Sequence, residues 1–191
     1  TNAKAVLRDG TTRLKKDGEI IHHHSGVAGF AEYAVLPKEA LVRIDKHIPF
    51  EHAALFGCGV VTGVGAVINT ANAREEDSIA VVGLGGVGLS ALLASMAIGS
   101  KKTIAIDLSN EKLKLAHELG ADHILNPNDA NFLERMRDLT SGGATIAIET
   151  AGSGRALKTA YDITRRGGTT VAAGMPGPKV DITLSHLSIA A

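Results

Sequence analysis

The stretch "VVGLGGVGLS", residues 81–90, places Gly83, Gly85 and Gly88 in the spacing G-x-G-x-x-G, with Gly86 and Val87 inside it. An apolar run, "SIAVVG" (78–83), precedes it and reads as a buried strand. "GVGLSALLASMAI" (86–98) follows, apolar nearly all round, and reads as a buried helix stopped at Gly99. In that context the glycines have separate tasks. Gly83 permits a tight turn out of the strand, Gly85 lets backbone come close to a pyrophosphate, and Gly88 allows close helix–strand packing. The helix N-terminus then offers unpaired N–H groups to an anion. The spacing alone is weak, because glycine-rich turns also serve packing; the strand before and the helix after supply the required context.

Working outward, the next strand, "TIAIDL" (103–108), carries Asp107, 19 residues after Gly88. An acid about 20 residues on accepts hydrogen bonds from ribose hydroxyls and repels a 2′-phosphate. Leu108 and Ser109 follow and bring no cation for such a phosphate, so the pattern favours NAD over NADP. The alternation continues. "NEKLKLAHEL" (110–119) reads as an amphipathic helix with Ser109 as N-cap and Gly120 as stop. "DHIL" (122–125), "TIAIET" (145–150) and "TTVAAG" (169–174) read as strands. "ANFLERMRDLT" (130–140) and "SGRALKTAYDITRR" (153–166) read as helices. Strands and helices alternating at this spacing imply an α/β fold, a Rossmann-type doubly wound parallel sheet.

Residues 1–50 differ. They are turn-rich, with Asp-Gly at 9–10 and 17–18, and "FAEYAVLPKEALVRID" (30–45) is strand-like. We expect part of a β-rich domain with a linking helix over 1–60 and the dinucleotide-binding domain over 61–191. Two uncharged runs, 53–73 and 78–100, are long enough to span a bilayer. Their glycines and polar residues favour buried elements of an α/β core, so no membrane association is expected. Lys+Arg and Asp+Glu number 20 each, so no basic surplus points to nucleic acid. A single cysteine excludes an internal disulfide and fits a reducing compartment; the expected location is cytoplasmic.

That cysteine, Cys58, lies in "GCGVVTGVGAV" (57–67), four residues before Thr62, so the two share a helix face. By itself it reads as a small buried hydrophobe, since one ligand cannot make a zinc site. Together, however, "IIHHHSG", "FAEYAV", "GCGVVTGVGAV", "VVGLGGVGLS", "AIDLSNEKLKLAHELGADHILNP" and "ETAGSGRALKTA" resemble, in order and spacing, the zinc-dependent medium-chain alcohol dehydrogenases. The resemblance covers essentially the whole chain. It implies that the β-rich region is GroES-like and that Cys58 is a catalytic-zinc ligand. It implies that Thr62 packs beside the nicotinamide and that Val87 backs its ring. Asp107 and Lys112 would hold the adenosine ribose. Thr150 and Ala151 would lie near the adenine side, and Ala173 to Met175 near the carboxamide. The implied partner is a small-molecule alcohol or aldehyde, and the implied parent a homodimer or homotetramer.

The departures are informative. The family's other zinc ligands, its proton relay and its four-cysteine lobe have no counterpart here, and the strand that completes the sheet is expected beyond the last residue. The resemblance therefore implies a partial chain lacking N-terminal and C-terminal segments, inactive alone. The run His22-His23-His24 matches a natural loop of the family and no zinc ligand. Adjacent residues of an extended loop point in alternate directions and cannot all reach one tetrahedral metal. By resemblance His24 and Ser25 line a substrate channel, with His22 and His23 structural; ordinary loop histidines are the other reading. Three functions are in play: a zinc-assisted NAD-dependent oxidoreductase, a non-catalytic NAD(H)-binding module, and a zinc-independent medium-chain reductase.

Overall fold

The computed structural model describes residues 5–7, 9–23, 28–178 and 181. Contacts divide the chain into two units, Thr1–Ile48 and Pro49–Ala191. The division expected at residue 60 falls inside a helix of the second unit.

In the first unit, β1 (Leu14–Lys16) and β2 (Glu19–Ile21) form an antiparallel hairpin. Asp17 (φ 52°) and Gly18 (φ 87°) take the two left-handed positions that a tight two-residue hairpin turn needs, which is why Asp-Gly stands there. The strand-like run 30–45 forms no strand. It is irregular, with one short 3₁₀ turn at Lys38–Ala40, and Phe30, Tyr33, Val35 and Val42 are exposed. Its β-forming residues find no neighbouring strand to pair with among the described residues, and pairing rather than propensity makes a strand.

The second unit opens with α1 (Phe50–Thr70), whose winding loosens to π geometry at Phe56–Val60 and Ala66–Thr70. A single stripe, Gly63, Ala66 and Val67, is buried; the rest is largely exposed. The expectation that 53–73 is a buried core element is therefore corrected. The helix is long and apolar enough to cross a membrane by length and composition, and only 17% of its most apolar stretch is buried. It touches the fold along one narrow seam: a Cβ at Gly63 would meet Ser90 Cβ at 2.7 Å and Ala91 N at 2.8 Å.

There follow β3 (Ser78–Val82), α2 (Gly86–Ala97), β4 (Lys102–Ile106), α3 (Asn110–Glu118) and β5 (His123–Leu125). The chain then continues through α4 (Phe132–Thr140), β6 (Ala144–Glu149), α5 (Gly154–Ile163) and β7 (Thr164–Ala172). The sheet is parallel throughout, in the order β5-β4-β3-β6-β7. β3 is buried along its whole length. Its alternate residues serve two cores. Ile79 and Val81 pack with Ala91 and Leu92 of α2, Leu113 and Ala116 of α3, and Val67 of α1. Ala80 and Val82 pack with Phe132 and Met136 of α4 and Ala160 and Ile163 of α5. This is why β3 reads as a continuous apolar run rather than an alternation.

One boundary differs from the sequence reading. The helix expected over 153–166 ends at Ile163, and β7 begins at Thr164 rather than 169. Thr164 pairs with Ala144, and a register irregularity separates this pair from Ile146↔Thr169. Gly167 (φ 71°) absorbs the irregularity, so the Arg165-Arg166 segment that looked like a helix end lies in a bulged strand start.

Candidate functional site

β3 is flanked by β4 on one side and β6 on the other, and the chain winds away from it in both directions. Crevices outside the carboxyl ends of such strands are where ligands bind in open α/β sheets. The glycine loop sits at that point. Gly83 has φ 96°, a conformation that a side chain resists, and a Cβ there would lie 2.8 Å from Ala151 N and Cβ. A Cβ on Gly88 would fall on the Gly83 carbonyl oxygen and lie 2.7 Å from Thr150 Oγ1. These two glycines are demanded by the fold itself. Gly85 and Gly86 are different: a Cβ on either meets nothing within 4 Å. Their missing side chains leave open a cradle directly before α2.

The start of α2 has no side-chain cap at Gly85 and no acidic residue in its first turn. Its leading N–H groups, with the positive end of the helix dipole, therefore face that cradle uncompensated. This chemistry suits a pyrophosphate. Asp107, just past β4, is tied directly to the loop: Leu84 N donates to its Oδ2 at 2.7 Å and Ser109 N to its Oδ1 at 2.8 Å. Lys112 Nζ stands 3.8 Å from Oδ2. Each carboxylate oxygen retains acceptor capacity, so the acid can still receive ribose hydroxyls while it holds the loop. Ser109 caps α3, accepting from Lys112 N, and so fixes the turn that presents Asp107 and Lys112 together.

On the β6 side, Thr150 N donates to Val82 O at 2.9 Å, and Thr150 Oγ1 donates to Gly83 O at 2.6 Å. Its hydroxyl proton is spent on the glycine turn, leaving the oxygen as an acceptor. Ala151 is exposed beside Gly83, Val87 is half-buried, and Met175 is exposed. Ala173 N donates to Glu149 O at 2.8 Å, which brings the exit of β7 against the exit of β6. The structure thus gathers Gly83, Gly85, Gly86, Val87, Gly88, Asp107, Lys112, Thr150, Ala151, Ala173 and Met175 around the carboxyl ends of β3, β4, β6 and β7. Leu84, through its amide, and Glu149 join them. Leu84 acts through backbone and leaves no sequence signal. Glu149 has one: a lone acid closing an otherwise apolar strand.

Cys58 lies in the first π turn of α1 and Thr62 one step further; both are exposed. No group of three His, Cys, Asp or Glu that could hold a metal ion occurs among the described residues. The described residues therefore do not make a zinc site by themselves. His22 is exposed. His23 is buried, its backbone N–H donating to Ala5 O at 2.8 Å and its Nε2 without a partner among the described residues. His24 and Ser25 lie outside the described residues.

A model of the zinc-binding dehydrogenase family matches residues 86–190. The chain is 35% identical over 186 residues to an S-(hydroxymethyl)glutathione dehydrogenase of Synechocystis, an alignment covering 96% of this chain and 50% of that protein. It is 36% identical over 173 residues to the S-(hydroxymethyl)glutathione dehydrogenase of Saccharomyces cerevisiae, covering 87% of this chain and 45% of that one. Among solved structures, an alcohol dehydrogenase zinc-binding domain protein from Burkholderia ambifaria superposes with a TM-score of 0.87 at 33% identity, covering 99% of this chain and 52% of that chain. Benzyl alcohol dehydrogenase from Acinetobacter calcoaceticus superposes with a TM-score of 0.83 at 30% identity, covering 95% and 51%. The chain spans about half the length of these relatives. From the glycine loop to its penultimate residue, this chain belongs to the zinc-binding dehydrogenase family.

Proposed function

We propose that this chain is the dinucleotide-binding half of an NAD-dependent, zinc-assisted alcohol or aldehyde oxidoreductase. The observation that carries the reading is the union of Asp107 with the glycine loop through Leu84 N, at 2.7 Å. One carboxylate both anchors the phosphate-facing turn and stands where a ribose would lie. The nicotinamide dinucleotide supplies the hydride-carrying chemistry when bound. The chain's own residues bind and orient it. The α2 N-terminus receives the pyrophosphate, Asp107 and Lys112 the adenosine ribose, and Val87, Ala173 and Met175 border the nicotinamide end. Cys58 would give one zinc ligand, with the others coming from outside the described residues. The exposed face of α1, where Cys58 and Thr62 stand, is read as a surface that further protein covers in the active enzyme. The substrate is a small alcohol or aldehyde, the active enzyme a homodimer or homotetramer, and the compartment a reducing cytoplasm.

Titration of the chain with NADH and NADPH, followed by the emission of the reduced nicotinamide, tests the cofactor. We expect NADH to bind at least about tenfold tighter, roughly 1.4 kcal/mol, because Asp107 repels a 2′-phosphate. Equal affinities, or none for either, would refute the cofactor reading. A second reading, a non-catalytic NAD(H)-binding module, is favoured by the absence of a metal-holding group among the described residues. The intact mass of the product of the native gene separates them: a mass well above 19.7 kDa supports the oxidoreductase half, and 19.7 kDa supports the module.

A further inference from the structure

Glu149 is the last residue of β6 and one of the most deeply buried side chains, 1% exposed, yet nothing in the dinucleotide scheme above uses it. It lies where two chain segments leave the sheet side by side. Gly152 N, in the loop after β6, donates to its Oε1 at 2.6 Å. Its backbone oxygen accepts from both Ala173 N at 2.8 Å and Gly174 N at 2.9 Å, in the segment after β7. The same residue thus holds one segment by its side chain and the other by its main chain. The segments touch backbone to backbone. A Cβ on Gly152 would lie 2.8 Å from Met175 O, and one on Gly174 would lie 2.6 Å from Glu149 Oε2 and 2.7 Å from Gly152 Cα. No side chain fits between them, and the Glu149 carboxyl lies against both glycines.

We propose that Glu149 is a positioning residue that sets the separation of the 150–153 and 173–175 segments, and so the width of the cleft between the exits of β6 and β7. This rests on the reading of the cleft as a dinucleotide site. Both segments carry residues of that cleft, Thr150 and Ala151 in one and Ala173 and Met175 in the other. Loss of the carboxyl leaves the Gly152 N–H without its acceptor and relaxes both walls, without touching Asp107 or the α2 N-terminus.

The test compares Glu149→Ala and Glu149→Gln in the full chain, with NADH as ligand. Supporting shells that hold a site's walls cost binding only where those walls are used. Glu149→Ala should therefore raise the NADH dissociation constant about tenfold. Glu149→Gln retains an acceptor for Gly152 N–H and should restore NADH binding to within about threefold. Unchanged NADH binding in Glu149→Ala would overturn the proposal. Amide exchange gives a readout independent of ligand: Glu149→Ala should speed exchange at Gly152 and Gly174 and leave Ile79–Val82 unchanged. Wild-type rates at Gly152 and Gly174 in Glu149→Ala would overturn the spacer role whatever binds. If the wild-type chain does not bind NADH, the dinucleotide reading fails and the exchange result alone decides the spacer role. Should Glu149→Ala not fold, Glu149→Asp, shorter by one methylene with the carboxyl kept, should shift the same quantities in the same direction by less.

Discussion

At the scale of single residues, the four loop glycines divide into two that the fold consumes and two that it leaves open. Gly88→Ala drives a methyl group into the Gly83 carbonyl, which is main chain and cannot swing aside. We expect a loss of about 3 kcal/mol or more in urea denaturation, at or above the upper end for overpacking. Gly85→Ala meets nothing, at φ −79°, so stability should hold or rise by about 0.4–1 kcal/mol through the unfolded state. Its methyl group would nonetheless stand in the cradle, and NADH binding should fall. Opposite signs in the two assays, for substitutions three residues apart, separate fold from site. The glycines and Asp107 were legible in the sequence because their spacing is local to one strand–turn–helix–strand unit. The lone acid Glu149 is visible at the end of its strand, but its role is not, because that depends on β7 returning beside β6, and nothing in the residues around 149 announces what Ala173 and Gly174 will do. His24 and Ser25, placed at a channel by resemblance, lie outside the described residues and stand as expectations.

At the scale of elements, caps and turns were readable wherever one residue settles the geometry. Ser109 accepts from Lys112 N, and Ser153 accepts from Ala156 N at 3.1 Å. Ser109→Ala and Ser153→Ala should each lower stability by about 1 kcal/mol. Only Ser109→Ala should also weaken NADH binding, since it loosens the turn carrying Asp107 and Lys112. In the first unit, Asp9 receives the Thr11 hydroxyl at 2.6 Å and the Thr11 N–H at 2.9 Å. These bonds hold its carboxyl below the usual carboxylate range. A depressed folded pKa contributes stability that is present above the unfolded value and lost as pH falls through the folded one. A carboxyl-detected NMR titration should find Asp9 titrating low, and Thr11→Ala should move it upward. The α5–β7 boundary was misread because Thr-Arg-Arg suits a helix end by composition, whereas the pairing of Thr164 with Ala144 is a tertiary fact. α1 was misread in the opposite sense: an uncharged run says that a segment is apolar, not that its own chain covers it.

At the scale of the whole molecule, apolar side chains are distributed unevenly. The cores on either side of the sheet are closed, while Phe30, Tyr33, Val35 and Val42 in the first unit, and Phe50, Leu55 and Phe56 on α1, are more than half exposed. Exposed apolar side chains in such number mark contact with something else. The chain should therefore enhance the fluorescence of an anilinonaphthalene dye in its native state. Phe50→Glu with Leu55→Glu should reduce that signal while changing stability by less than about 0.5 kcal/mol, since neither side chain is buried. An unchanged signal would remove α1 as the source. The doubly wound sheet was legible from the alternation of strands and helices. The state of residues 30–45 was not, because whether a β-forming segment becomes a strand depends on a neighbour, and propensity names no neighbour.

The seam between β3 and β6 has a kinetic meaning. β3, β4 and β5 meet partners close along the chain, but Ser78 and Thr145, which clasp the far end of the β3–β6 seam through reciprocal side-chain bonds, are 67 positions apart. Closing so long a loop costs chain entropy before any contact repays it, so the seam should zip after the β3–β4–β5 half has formed. The proposed nucleotide cleft straddles that seam and does not exist until it closes. A nucleotide present from the first moment of refolding therefore has nothing to grip in the early intermediates. Its influence should fall on the unfolding limb, slowing the opening of a seam that it had no part in nucleating.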